Sequence, residues 1–281
     1  MKTKRDTTGT EQMPDAQLSK QLGYYQKRSV IGIWVGLIGV IGGTVSYFAV
    51  DDAATRAILM AVLFFGGVCC ALFLGGGAQK RIKALMQSQL GDFFRTELET
   101  AFGPEDQTCE MPIDEAVVKR MHLRENQWEE CQVENFHQGR YRGVRFSAAN
   151  VRLNHVYERA ISHEGLETCR EMVFKGLVLR CETRISAPSR ADMPQFTEAL
   201  KELQRGLNGT VLGVCWEKNI FSLALETEYE FAAVDRHVDL RNLDAVRNSY
   251  RESLRKMEDI LKLLLKNEAL FAGMTEKEGN P

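Results

Sequence analysis

The N-terminal third of the chain contains SVIGIWVGLIGVIGGTVSYFAV at residues 29–50 and AILMAVLFFGGVCCALFLGGGA at residues 57–78, and neither stretch has a charged side chain. Each stretch is longer than the roughly 20 apolar residues that a helix needs to cross the hydrocarbon of a bilayer. A buried helix of a soluble protein usually keeps one polar stripe, and a secretory signal peptide is shorter and is followed directly by a soluble domain. The two stretches therefore predict a transmembrane helical hairpin at residues 29–78, with spans at 29–50 and 57–78.

The connection between the two spans, residues 51–56, is so short that the helices are expected to run antiparallel and to leave both soluble ends on one side. It contains Arg56 against Asp51 and Asp52. The basic residues that flank the spans are Lys2, Lys4, Arg5, Lys20, Lys27 and Arg28 before the first and Lys80, Arg81 and Lys83 after the second. The positive-inside rule then predicts a multi-pass protein of the bacterial inner (cytoplasmic) membrane with both termini in the cytoplasm.

Small residues recur along one face of each predicted span. They are Gly32, Gly36, Gly39 and Gly43 in the first span and Gly67, Ala71 and Gly75 in the second. In lipid, small residues let helix backbones approach closely, so these positions are predicted to form a helix-packing site. Two interpretations are open: the spans pack on each other, or the glycine face joins copies of the chain in a homo-oligomer. Neither span contains an ionisable Asp, Glu, Lys, Arg or His, so an ion or proton pathway through the hairpin alone is not expected.

The composition of the whole chain is close to that of an ordinary globular protein. Its 281 residues carry a formal net charge of −2, and 44% are apolar and 26% charged, which excludes a disordered, collagenous or disulfide-dense chain. After the second span there are 29 basic and 33 acidic residues, so no nucleic-acid partner is expected. Five of the seven cysteines follow the spans, on the reducing side of the membrane, and this odd number predicts free thiols.

The spacing of apolar residues divides the rest of the chain into segments. Residues 1–28 form a polar cytosolic N-terminal segment, residues 79–103 an amphipathic connecting helix, residues 104–271 a cytosolic α+β domain and residues 272–281 a tail. The connecting helix is expected to continue the second span, with a bend or hinge at Gly75-Gly76-Gly77, because three glycines weaken a rigid helix.

The cytosolic domain alternates strand-like and helical patterns. After a short helix near residues 114–121, strands are predicted around residues 144–155 and 173–181, and the runs at 210–216 and 220–225 predict a hairpin. Helices are predicted at residues 193–205 and 240–270, and the second of these either packs on the sheet or forms a coiled coil. The predicted fold class is α+β: the N-terminal two-helix transmembrane hairpin, and a cytosolic domain with a mainly antiparallel sheet and a long C-terminal helix.

Four stretches of the cytosolic domain resemble a known family. They read QVENFHQGRYRGVRFSAANVRL at residues 132–153, REMVFKGLVLRCE at 170–182, FTEALKELQ at 196–204 and GTVLGVCWEKNIFSLALE at 209–226. Together with the two apolar spans, they are similar to a family of uncharacterised bacterial membrane proteins, domain of unknown function 3137. The most specific piece is the aromatic-Lys-Gly step at Phe174-Lys175-Gly176 within an apolar strand. The resemblance covers residues from about 29 to about 265 and implies no catalytic residue.

Glycine-rich and acidic motifs were considered as binding sites. The chain has no G-x-x-x-x-G-K-[ST] motif, and Gly75-Gly76-Gly77 ends a span, so nucleotide binding is rejected. The stretch Gly139-Arg140-Tyr141-Arg142-Gly143 has two arginines for a phosphate, although a hairpin turn explains the same residues. Asp235, His237 and Asp239 would share one face of a strand, as metal ligands do, but polar residues ahead of the last helix, with Asp239 or Asn242 near its cap, account for them equally well.

Cysteines and paired carboxylates were the remaining candidates for catalytic groups. Cys131 with His137, or Cys181 or Cys215 with any histidine, is a formal nucleophile and base pair, but Cys181 and Cys215 lie in apolar strand runs typical of buried thiols. The carboxylates of Glu129, Glu130 and Glu182 have no spatial relation that the sequence reveals. No catalytic residue, metal ligand or cofactor is predicted.

The prediction for function is therefore an integral membrane protein whose cytosolic α+β domain is a protein-interaction or regulatory module. Its expected partners are the lipid bilayer and either a protein partner or its own copy. The alternatives are a membrane-tethered enzyme that acts on a lipid or a small cytosolic substrate, and an accessory subunit of a transporter or channel.

Overall fold

The computed structural model describes residues 13–49, 52–105, 111–161, 165–184, 193–266 and 271. The chain divides into two compact units. One consists of Met1–Phe94 and His237–Arg247, and the other of Arg95–Arg236 and Asn248–Pro281.

The first unit is built on two long apolar helices. Helix α1 spans Asp15–Ala49, α2 spans Ala53–Cys70, and a π-helical segment at Ala71–Gly76 leads into α3 at Gly77–Phe102. Asp52 caps α2, where its carboxylate accepts a hydrogen bond of 2.8 Å from the backbone N–H of Thr55. The two helices of the hairpin are thus present, and the pair are candidate membrane spans.

Helix α1 begins 14 residues before the predicted span. Residues 15–28, expected only as a polar segment, are helical because glutamine, leucine, lysine and alanine favour a helix and because Leu18 and Leu22 are buried. The backbone N–H of Met13 donates to Gln89 on α3, and Gln79 donates to the Ser29 hydroxyl. These bonds join α1 and the residue two positions before it to the first half of α3, within the first unit.

The three glycines after the second span do not break the helix. The expected continuation of the second span is present, since the chain is helical from Ala53 to Phe102 through the π-helical turn. The bend or hinge expected at these glycines stays a prediction. A π-helical turn accommodates an extra residue without ending the backbone hydrogen bonding, and glycine, which has no Cβ, tolerates the altered spacing.

The second unit contains one five-stranded sheet. The strands are β1 at Glu130–Tyr141, β2 at Val144–Ile161, β3 at Gly165–Glu182, β4 at Thr210–Glu217 and β5 at Ile220–Glu226. Their spatial order is β1-β2-β3-β5-β4, and all four pairings are antiparallel. Helices α4 at Glu115–Arg120, α5 at Met193–Leu207 and α6 at Leu243–Leu265 and a short 3₁₀ turn at Leu123–Asn126 complete the described elements. The prediction of an α+β fold with an antiparallel sheet and a long C-terminal helix is confirmed.

Both faces of the sheet are buried. On one face Val151, Leu153 and Phe174 form a cluster with Leu123 and Trp128, which precede β1. On the other face the ring of Phe146 packs edge-on against Phe102 at the end of α3, with ring centroids 5.3 Å apart. Strands with two buried faces show weak polar alternation, which explains why the apolar runs of β3 and β5 are nearly continuous in the sequence.

Helix α6 buries one continuous stripe. Asn242 caps it, since its side-chain oxygen accepts a hydrogen bond of 3.0 Å from the backbone N–H of Ala245. The buried side chains recur at intervals of three and four: Val246, Tyr250, Leu254, Met257, Ile260, Leu261 and Leu264. Because the chain itself covers this stripe, it is not available as a coiled-coil seam, and that alternative is wrong.

Candidate functional site

The predicted helix-packing residues of the two spans lie opposite one another in the structure. A Cβ built on Gly39 would lie 2.6 Å from the Cα of Gly67, and one built on Gly36 would lie 2.7 Å from the Cβ of Ala71. A Cβ on Gly32 would lie 2.6 Å from the backbone nitrogen of Gly75. Real Cβ atoms do not approach backbone atoms this closely, so the two helices meet at positions where a larger residue would force them apart.

The ends of this interface are looser. A Cβ on Gly43 would lie 3.4 Å from the carbonyl oxygen of Met60, an ordinary contact, and one on Gly75 would lie 3.8 Å from that of Ser29. The structure therefore places all seven predicted small residues between α1 and the segment from α2 to the π-helical turn of the same chain. The glycine face is occupied within one molecule.

The outer surface of the hairpin is apolar and exposed. Phe48 is 81% exposed and Phe73 is 77% exposed. Other apolar side chains of the two helices, among them Ile38, Ile58 and Val62, are also more than half exposed. The buried residues of α1 within the predicted span are all small: Ser29, Gly32, Gly36, Gly39, Gly43 and Ser46. The most apolar windows of the two helices have mean hydropathies of 1.9 and 2.7, and only 33% and 6% of their residues are buried.

A basic groove lies on α1 immediately before the apolar stretch. Its volume is about 410 Å³. Residues spaced along one face of the helix form one wall, and one arginine that precedes α6 in the chain forms the other. The groove is lined by Ser19, Lys20, Gly23, Tyr24, Lys27 and Arg241.

The segment before α6 is fixed against α1 by a single glutamine. The Gln26 amide donates 3.0 Å to the carbonyl oxygen of Val238 and accepts 3.1 Å from the backbone N–H of Leu240. Both ends of this side chain are therefore used. The next residue, Arg241, lies across Gly23, whose missing Cβ leaves the space that the arginine side chain occupies.

Arg241 is held in place by Asp239. Its Nε and Nη2 groups donate to both carboxylate oxygens, the shortest bond being 2.6 Å, and the backbone N–H of Arg241 adds a third contact. These bonds lower the pKa of Asp239 to about 2, with a smaller contribution from the charge of Lys27. The sequence analysis singled out Asp239 for a metal or a helix cap, whereas its side chain instead orients an arginine.

The second unit presents an arm at the free end of strands β2 and β3. Strand β1 pairs with β2 only as far as Asn154, and β5 pairs with β3 only from Gly176 onward. Residues 155–161 and 165–171 pair only with each other. In the described part of this arm Tyr157 is 39% exposed, and Met172 at its base is 58% exposed. A two-stranded ribbon with two open edges is marginally stable by itself, so the arm is the part of the sheet that a partner could extend.

Cys131 and His137, the formal nucleophile and base of the sequence, lie apart in the structure. Cys131 packs against the cluster on one face of the sheet, whereas His137 lies on the opposite face against Phe102 and Phe146. The bulge between Glu134 and His137 produces this switch of face. Burial raises the pKa of the Cys131 thiol to about 11, helped by nearby Glu115 and Asp114, so the thiol is not an activated nucleophile.

Cys181 and Cys215 are not activated thiols either. Burial raises the pKa of Cys181 to about 12, and it also raises that of Cys215. The six cysteines that the structure describes are all free, as predicted, and Cys109 lies outside the described residues.

The paired carboxylates have separate structural partners. Glu129 accepts from the backbone N–H of Val156, which lowers its pKa, and Glu130 accepts 2.9 Å from Arg170, which lowers its pKa as well. Glu182 forms a two-bond ion pair with Arg145 at 2.8 and 2.9 Å. Neither Glu129 nor Glu130 has the raised pKa that a general acid requires.

The structure also bears on the hairpin turn at residues 139–143 and on the metal-ligand hypothesis. Gly139 and Tyr141 end β1, and Arg142-Gly143 form the tight turn to β2, with φ values of 50° and 82° that are typical of a type I′ hairpin. Within the described ranges, the structure shows no group of three or more His, Cys, Asp or Glu side chains that could hold a metal ion.

Comparison of the sequence with known protein families, with curated proteins and with solved structures finds no match. The resemblance to domain of unknown function 3137 therefore stays a prediction. The basic groove was missed by the sequence analysis because Lys27 and Arg241 are more than two hundred positions apart. The available signal was the spacing of Lys20, Tyr24 and Lys27, which places them on one helical face.

Proposed function

We propose that the protein is an integral membrane protein whose α1–α2 hairpin anchors a cytosolic α+β domain, and that this domain is a protein-interaction module. The observation that carries the proposal is the apolar outer surface of the hairpin. Soluble monomers rarely expose contiguous apolar patches of more than a few hundred Å². The hydrocarbon of a bilayer is the medium in which such a surface is stable.

The hydrogen bonds of polar side chains in the hairpin also support its insertion in a bilayer. The Thr44 hydroxyl donates 3.0 Å to the carbonyl oxygen of Val40, and the Ser46 hydroxyl donates 2.8 Å to that of Gly43. In hydrocarbon every polar group must find a partner inside the protein, and these two hydroxyls do so within their own helix. The distribution of basic residues favours the cytoplasmic side of the bacterial inner membrane for both soluble ends.

Insertion and orientation are tested by two measurements on cells that produce the full chain. An integral protein stays in the membrane fraction after extraction with alkaline carbonate and is released by detergent. In intact cells a membrane-impermeant maleimide should leave Cys169, on the arm, unlabelled, and permeabilisation should expose it. Release by carbonate would contradict insertion, and labelling of Cys169 in intact cells would contradict the orientation.

The interaction role is assigned to the β2–β3 arm. An exposed ribbon edge offers unpaired backbone N–H and C=O groups, which another chain can extend by strand addition. The exposed side chains of Tyr157 and Met172 add apolar contact beside those edges.

A photo-crosslinking amino acid tests this role at two arm positions and one control. It replaces Tyr157 or Met172 in the arm, and Lys201, an exposed residue of α5, as the control. We expect both arm positions to give the same adduct with one protein in native membranes, and the control to give none. An adduct of twice the chain mass would show that the partner is a second copy. Absence of a discrete adduct, or equal yield from the control, would contradict the proposal.

A further inference from the structure

The basic groove lies where a membrane-inserted α1 would leave the bilayer. Lys27 precedes the first residue of the predicted span by two positions, which is about 3 Å along the helix, and Lys20 precedes it by nine, about 14 Å. The headgroup layer on each side of a bilayer is roughly 5–8 Å thick. The groove therefore begins within the headgroup layer and extends from it toward the cytoplasm.

The charge of the groove is positive. Lys20 and Lys27 are exposed, and the described residues include no acidic side chain in an ion pair with either of them. Arg241 shares its charge with Asp239, but its Nη1 group makes no hydrogen bond to any described residue and stays available. The Lys20 and Lys27 ammonium groups and the Arg241 guanidinium thus line one groove, against the single carboxylate of Asp239 that holds Arg241.

We propose that this groove binds the phosphate of an anionic glycerophospholipid headgroup from the cytoplasmic leaflet. This inference rests on the proposed insertion of the hairpin. Lysine and arginine are the side chains that hold phosphate oxygens. The Ser19 hydroxyl donates 3.1 Å to the carbonyl oxygen of Ala16, so it lines the groove without adding a donor. The Tyr24 ring, 59% exposed, combines an apolar face with a polar tip, as aromatic residues at membrane interfaces do.

The position of the groove favours a lipid over a soluble phosphate. A lipid in the adjacent leaflet is present at high local concentration, and its headgroup lies at the same depth as Lys27. Anionic lipids also create the negative surface potential that attracts basic residues near the membrane. The rigid placement of Arg241 by Asp239 and Gln26 distinguishes this groove from a set of flexible surface lysines.

The test compares three double variants of the full-length protein in mild detergent. The groove variant is Lys20→Gln with Lys27→Gln, the conservative variant is Lys20→Arg with Lys27→Arg, and the matched control is Lys80→Gln with Arg81→Gln. The control removes the same charge from exposed positions just after the second span, outside the groove. Each protein is titrated with phosphatidylglycerol and with phosphatidylcholine of identical acyl chains, and native mass spectrometry measures the bound lipid.

We expect the wild-type protein to prefer phosphatidylglycerol and the groove variant to bind it at least about tenfold more weakly. The conservative variant and the control should stay within about threefold of wild type. Equal losses in the groove variant and the control would overturn the inference, since binding would then reflect general basic charge. Displacement of the lipid by an equal concentration of inorganic phosphate would overturn the assignment to a lipid.

A second measurement distinguishes the absence of a lipid site from the absence of membrane insertion. Carbonate extraction of membranes that contain the same variants reports on insertion alone. A protein that stays in the membrane, and whose groove variant binds phosphatidylglycerol like wild type, would contradict only the lipid site. A wild-type protein that carbonate releases would contradict the anchor itself.

Discussion

The hairpin and the sheet bury opposite kinds of residue. In the α1 part of the hairpin, glycine and serine lie inside, and phenylalanine, isoleucine and leucine lie outside. In the second unit Phe146, Phe174 and Phe221 are completely buried, and charged residues cover the surface. The same side-chain types are thus sorted in opposite directions within one chain.

This reversal is the pattern that the proposed insertion of the hairpin predicts. In water, burial of apolar surface drives folding, so large apolar residues move inside. In lipid that drive is absent between helices, and close backbone packing at small residues takes its place. The burial pattern of the sheet is therefore the one that water favours, and that of the hairpin is the one that hydrocarbon would favour.

Replacement of one phenylalanine in each region gives the largest contrast. Phe146→Ala removes a fully buried ring that packs on Phe102 and should lower the free energy of unfolding by about 3–5 kcal/mol. Phe73→Ala removes a ring that is 77% exposed and should change it by less than about 0.5 kcal/mol in detergent. Denaturant unfolding of both variants in the same detergent is the measurement. A comparable loss in the two variants would contradict the reversal.

Addition of volume is the converse test within the hairpin. Gly39→Leu places a side chain where even a Cβ would lie 2.6 Å from the Cα of Gly67, so the helices must separate, at a cost of about 2–3 kcal/mol. Gly66→Leu is the matched control, because no atom lies within 4 Å of its added Cβ. Unfolding monitored by helical circular dichroism compares the two.

The same two variants decide between the alternatives for the glycine face. If Gly39→Leu left hairpin stability unchanged but dissociated an oligomer, the face would join copies of the chain instead of two helices of one chain. Size-exclusion chromatography with light scattering, on the same samples, reports the oligomeric state.

The hairpin was predictable because its signal is local. An uncharged stretch of 22 residues and glycines spaced by three and four positions can be recognised without knowledge of the fold. The start of α1 was not predicted, because residues 15–28 lack a strong apolar pattern. They are helical partly because Leu18 and Leu22 are buried, which is information that tertiary packing supplies.

The strand order of the sheet and the assembly of the groove could not be predicted from neighbouring residues alone. Alternation and turn residues predicted β1–β2 and β4–β5 as hairpins, and the turn at Arg142-Gly143 has the expected positive φ values. The order β1-β2-β3-β5-β4 depends on pairings between distant residues, and so does the approach of Arg241 to Lys27. The bulge that separates Cys131 from His137 also has no clear sequence signature.

A buried histidine gives the sheet a pH dependence of intermediate size. His137 is 4% exposed, its Nε2 has no hydrogen-bond partner in the described residues, and burial lowers its pKa to about 4. The unfolded chain binds a proton at this residue near pH 6.5, whereas the folded protein does not, so stability falls as the pH is lowered from about 6.5 toward 4. The expected loss at pH 5 relative to pH 8 is about 2 kcal/mol.

His137→Leu isolates this contribution. The variant should show a flatter dependence of unfolding free energy on pH between 8 and 5, whatever its absolute stability. Equal slopes in the wild type and His137→Leu would mean that this histidine is not the group that titrates.

The smallest effect is expected in the arm. Met172 is 58% exposed at the base of the ribbon, so Met172→Ala should change the global free energy of unfolding by less than about 0.5 kcal/mol. Met257 on α6 is fully buried, and Met257→Ala should cost about 2–5 kcal/mol. Denaturant unfolding of the two variants measures both values. If Met172→Ala lowered the free energy of unfolding nearly as much as Met257→Ala, the arm would fold cooperatively with the core. Its apolar side chains would then stabilise the fold. A negligible loss would leave Met172 as exposed apolar surface in a region built for water, which is the property that a partner-binding arm requires.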